Sequence, residues 1–135
     1  MVLKIDLYLL KPDRGIISES NGSYYTIRQV TSKMGYLFSV GDNFDLCDTY
    51  CATVVKEDKT ISYIQVGIIP KMIIHPVYNA IQLESYIGAP IHDHNGSVTG
   101  TVNFSSNAIR NEDFDNSEIQ LIEQMARKLG DVLYQ

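Results

Sequence analysis

Two Asn-Gly pairs, each set between β-prone runs, restrict this chain more than any other feature in it. Asn21-Gly22 joins residues 15–20 to 23–30, and Asn95-Gly96 joins residues 85–92 to 97–105. Asn-Gly is a strong hairpin signal because both central residues of a type I′ turn need positive φ. Tyr24, Tyr25, Thr26 and Ile27 suit a pleated, half-buried surface. Tyr86, Ile87, Val98, Val102 and Phe104 bring apolar bulk to the second pair, and Gly88 and Gly100 let a packed element or a ligand approach the backbone. A sheet built from hairpins is antiparallel.

Helical signals punctuate these strands. Residues 116–133 carry the best of them. Asp115 with Glu118 three positions on makes a capping box, and Phe114 with Ile119 makes a hydrophobic staple. Ile119, Ile122, Ala126, Leu129 and Leu133 form one stripe, widened by Met125 and Val132. A shorter helix is expected over 46–55, capped by Asp45, with Leu46, Tyr50 and Val54 on one face and Cys47 and Cys51 beside them. A strand is expected from Ile61 to Val66. A second short helix starts at Pro70 and runs unevenly past Pro76 to about Leu83. Residues 31–44 read as irregular, broken by Gly35 and Gly41. The first ten residues read two ways. Leu3, Ile5, Leu7 and Leu9 alternate like a strand, or the segment is the tail of a helix ending before Pro12. The order predicts one α+β domain over residues 1–135, with an antiparallel sheet of five to six strands.

Charge and length narrow the function. The 135 residues fit one domain, and the formal charge of −5 offers no clustered cations for nucleic acid or an anionic membrane. No apolar run approaches the ~20 residues of a membrane-spanning helix. Lys4 and Asp6 interrupt the apolar start and no small-residue cleavage site follows, against a signal peptide. The two cysteines, Cys47 and Cys51, are too few for a disulfide scaffold, which favours reduced thiols and a cytoplasmic setting.

From about Gly15 onward the chain resembles a GAF domain of the kind found beside bacterial histidine kinases and diguanylate cyclases. The likeness is carried by Gly41-Asp42 with Thr49-Tyr50-Cys51, then His75-Pro76 with Tyr78, then residues 85–91. Gly96, residues 100–104, Phe114 and the closing helix complete it. It implies terminal helices on one sheet face, used for homodimerisation, and short helices roofing a ligand pocket on the other. The N-terminal helix of that plan is short here. It also implies a sensory module that binds an unidentified small molecule and signals to an effector outside these residues, such as a kinase or cyclase. Tyr50, Cys51, Tyr78 and Phe104 are the candidate pocket walls, with His75 as the polar contact; the same side chains serve equally as core. A ligand-free dimerisation scaffold is the alternative.

Other chemistries of this family fit less well. Bilin-binding members resemble one another in a Cys-His pair just before the Tyr78 region. That place falls near Ile73 and Ile74, with His75 one step off, so no covalent bilin is expected there. The Asn103-Phe104 pair matches the cyclic-nucleotide pattern only in part. A thiol-based reductase needs a low-pKa cysteine with a resolving partner, and no positive charge flanks Cys47 or Cys51. His92-Asp93-His94 reads as a solvated turn rather than a metal site.

Overall fold

The computed structural model describes residues 13–32 and 38–133. Within them, six strands form one antiparallel sheet: β1 (Arg14–Asn21), β2 (Tyr24–Ser32), β3 (Asn43–Asp45), β4 (Ile61–Tyr63), β5 (Ser85–His92) and β6 (Val98–Ser106). Their spatial order is β3-β2-β1-β6-β5-β4. The two hairpins therefore lie side by side. They are joined at the centre by β1 and β6, where Ile16 faces Asn103 and Ile17 faces Val102. The expectations for the first ten residues lie outside the described residues.

Both hairpins form, but neither uses a type I′ turn. In the first, Asn21 still pairs with Tyr24, leaving Gly22 and Ser23 as the loop, and only Gly22 takes a positive φ (65°). Glycine at the first loop position is the type II′ pattern. In the second, the Asp93 N–H donates to the Ser97 carbonyl at 3.0 Å and the Gly96 N–H to the Asp93 carbonyl at 3.1 Å, with Gly96 at φ 81°. This is a three-residue loop ending on a left-handed glycine. The Asp93 carboxylate accepts from the Asn95 and Ser97 N–H groups and locks the turn.

Side-chain alternation splits the core in two. Ile17, Ile87, Ala89, Ile91, Val102 and Phe104 point to one face, where Ile122, Met125 and Ala126 of the last helix pack on them. That helix, α3, spans Asn116–Leu133. Its capping box forms in both directions. The Glu118 N–H donates to the Asp115 carboxylate at 2.8 Å, and the Asp115 N–H to the Glu118 carboxylate at 3.0 Å. Phe114 and Ile119 both pack on the same cluster. Each large side chain buried there contributes roughly 1.5–3 kcal/mol, more than the cap at about 1 kcal/mol.

Short helices cover the opposite face. α1 spans Cys51–Glu57 and α2 spans Pro76–Ile81. Three sequence expectations are corrected here. The helix expected over 46–55 divides into a 3-10 turn, Leu46–Asp48, and α1, and Asp45 makes no side-chain cap. The helix expected from Pro70 begins at Pro76, because proline is suited to a first helical position and not to an interior. The strand expected to run to Val66 stops at Tyr63, and Val66–Ile68 form a 3-10 turn.

Candidate functional site

Between the sheet and the α1–α2 layer lies a cavity of about 660 Å³. β1, β2 and β6 supply its floor through Ile16, Tyr25, Ile27 and Asn103. Tyr50, Cys51, Val77 and Ile81 come from above, and Phe38 and Phe44 close one side. A cavity of this size with mostly apolar walls suits a small molecule.

Its floor is polar and closed to solvent. The Cys51 sulfur lies 3.0 Å from the Tyr86 hydroxyl, 3.2 Å from the Thr101 hydroxyl and 3.3 Å from the Asn103 amide nitrogen. The Asn103 amide also reaches the Tyr25 hydroxyl at 3.3 Å, and Ser18 and Thr101 exchange a hydrogen bond at 2.8 Å. All six of these residues are buried. Burial pushes the Cys51 thiol up, although its hydrogen bonds with Thr101, Tyr86 and Tyr25 pull the other way. Burial also drives the Tyr25 and Tyr86 phenols well above their ordinary range. The network therefore holds neutral donors and acceptors. A thiol raised by burial is a poor nucleophile, since the thiolate is the reactive form.

The five residues singled out from the sequence take three different positions. Tyr50 and Cys51 line the cavity. The Tyr50 hydroxyl donates to the Leu83 carbonyl at 2.9 Å, and its ring meets His75 edge-on at 4.9 Å. His75 stands behind Tyr50 and outside the lining. Its Nδ1 accepts from the Val77 N–H at 3.2 Å and caps α2, and burial lowers its pKa. Tyr78 is also outside the lining. Its hydroxyl donates to Glu84 at 2.8 Å, while Glu84 accepts from the Gly67 N–H at 2.9 Å. Phe104 is a correction. It faces α3, because strand parity puts Val102 and Phe104 on one side of β6 and Thr101, Asn103 and Ser105 on the other.

The residues missed by sequence reading are the polar ones on the cavity side: Arg14, Ser18, Thr101, Asn103 and Ser105. A signal for them existed. Both faces of β6 are covered, so an unbroken apolar run is expected, yet polar residues recur there at every second position. His92 sits elsewhere, exposed, with Nε2 2.6 Å from the Asp58 carboxylate. Among the described residues no group of three or more His, Cys, Asp or Glu side chains is placed to hold a metal ion.

A family model described as GAF domain matches residues 3–133. The chain belongs to the GAF domain family. This GAF domain is similar in fold to the GAF domain of a two-component sensor histidine kinase from Bacillus halodurans, with a TM-score of 0.70 and 16% identity over 96% of this chain and 89% of that one. It is also similar to the phycocyanobilin-bound GAF domain of a cyanobacterial phytochrome, at TM-score 0.71 and 18% identity over 94% and 77%. A type II free methionine-R-sulfoxide reductase from Thermoplasma acidophilum matches at TM-score 0.71 and 14% identity over 96% and 87%. No curated protein matches the chain.

Proposed function

We propose that this GAF domain is a non-catalytic sensory module whose cavity binds a small molecule. The observation that carries the reading is the cavity itself, about 660 Å³ with apolar walls over a polar floor hydrogen-bonded around Cys51. A core that served packing alone would close such a space, since interiors pack densely and unfilled volume destabilises. The raised Cys51 thiol supports binding over thiol catalysis. α1 and α2 roof the cavity through short helices and turns, elements that shift at low energetic cost. Ligand that binds two arrangements of this roof unequally transmits a signal. Val132 and Leu133, exposed at the end of α3, support pairing with a second copy, whereas Ile122 is spent wholly on the sheet.

Ala80→Trp, at the exposed rim of the lining on α2, is expected to place an indole in the mouth of the cavity. A small-molecule extract of host cells is expected to raise the melting temperature of the unmodified domain and leave that of the folded A80W variant unchanged. An equal shift in both would overturn the reading.

A further inference from the structure

Among the described residues Arg14 is the one cationic side chain that lines the cavity, and it is only 6% exposed. Its Nη2 donates to the Asn107 side-chain carbonyl at 3.0 Å. Its Nη1 is buried with no hydrogen-bond partner among the described residues. The nearest acid in sequence, Asp13, is engaged elsewhere, accepting from the Ser106 hydroxyl at 2.7 Å and the Asn107 N–H at 3.1 Å. No carboxylate among the described residues lies within ion-pair distance of Arg14.

A buried guanidinium without a counter-ion is costly, and structures that keep one normally satisfy it. Burial indeed lowers the pKa of Arg14, and Asp13 offsets this only in part. The missing partner is therefore expected from the cavity side. Its surroundings fit a ligand. Arg14 pairs with Ser105 across the β1–β6 seam, and Ser105 and Asn103 line the same floor. Ile16, Ile27, Val77, Ile81 and Leu83 supply apolar wall. Two acids line the cavity as well: Asp42, which accepts from the Ser39 N–H at 2.9 Å, and Asp48, which is exposed. Neither pairs with Arg14, and both disfavour a second negative charge on the ligand.

We infer that the cavity takes a monoanionic small molecule, an apolar body bearing one carboxylate or phosphodiester, with the Arg14 guanidinium holding its anionic end. This rests on the cavity being the ligand site. A planar guanidinium presents parallel N–H donors to such an oxyanion, and one already fixed by Asn107 loses little freedom on binding.

The test is amide NMR titration of the whole domain with hexanoate and phenylacetate, with the monoanionic diester methyl hexyl phosphate, and with uncharged hexanamide and hexanol. The anions are expected to perturb cavity-lining amides and to bind about tenfold or more tighter than the neutral analogues. Hexanoate against methyl hexyl phosphate separates carboxylate from phosphodiester. Arg14→Gln is expected to erase the preference for anions, and Arg14→Lys to keep part of it. The anion-to-neutral ratio in the unmodified domain stands even if a variant misfolds. Neutral analogues binding as tightly as anions would overturn the role of Arg14 and leave the cavity as a ligand site. Binding of neither class would overturn both.

Discussion

The Tyr86 hydroxyl reaches the Cys51 sulfur, 3.0 Å away, by folding its ring back over Gly88 on its own strand. Residues 86 and 88 share the cavity face of β5, and a Cβ at 88 would run into the ring and hydroxyl of Tyr86. The glycine therefore makes the contact possible, and with it the junction between α1 and the sheet.

Gly88→Ala is expected to destabilise the domain by about 1–3 kcal/mol, the range for overpacking in a close-packed core. Tyr86→Phe alone removes one partner of the thiol at about 1 kcal/mol. The two changes together are expected to cost less than their sum, because both displace the same ring. Urea unfolding of the double-mutant cycle measures this, and strict additivity would place Gly88 outside the contact.

The thiols are expected to differ sharply in reactivity. Cys47 is exposed and Cys51 is buried in its network. Under native conditions iodoacetamide should modify Cys47 first, and Cys51 only at the rate of opening of the fold. Peptide mass mapping over time separates them; equal rates would mean that the floor is open to solvent.

Alkali is expected to weaken the fold. Cys51, Tyr25 and Tyr86 all hold their protons more tightly folded than unfolded. Their contribution is complete below the unfolded pKa values, about 8.5 for a thiol and about 10 for a phenol. Above those values the unfolded chain releases protons that the folded one keeps, so stability falls as pH rises. The urea midpoint should drop between pH 8 and 10.5, and Cys51→Ser should remove the earliest part of the drop. A flat profile would contradict the burial of these groups.

Asp115→Ala is expected to cost about 1 kcal/mol and Asp115→Asn far less, since asparagine caps nearly as well. Glu118→Ala should cost more than its half of the box. Its carboxylate also takes both oxygens' worth of Arg110, at 3.1 and 3.2 Å, with that guanidinium 3.9 Å above the Phe114 ring. Thermal unfolding of the three variants gives the order.

Local chemistry made much of the fold legible. Asn-Gly pairs announced both hairpins, and the Asp115–Glu118 spacing announced α3, because turns and caps depend on residues adjacent in sequence. Their geometry was less legible. A one-residue shift in which residues form the loop turned type I′ into type II′ at Gly22, since the strand register decides that. At the site, parity was the obstacle. Phe104 was expected in the pocket and faces α3 instead; an apolar strand residue fits either covered face, and only the neighbouring polar positions 101, 103 and 105 mark which side is which. The family resemblance implies His75 as a polar contact of the pocket and Tyr78 as one of its walls. The structure engages them in holding α2 and the loop at Gly67. Arg14 gave no local signal, since its meaning comes from Asn107, 93 residues away.

The most direct test of the sensory reading is a native mass spectrum of the purified domain set beside its denatured spectrum, before and after incubation with host-cell extract. A mass excess present in the native spectrum and lost on denaturation is the predicted result, and its size gives the ligand. A bare mass in every native spectrum would contradict the reading and favour a ligand-free scaffold, and an excess that survives denaturation would mean a covalently held group.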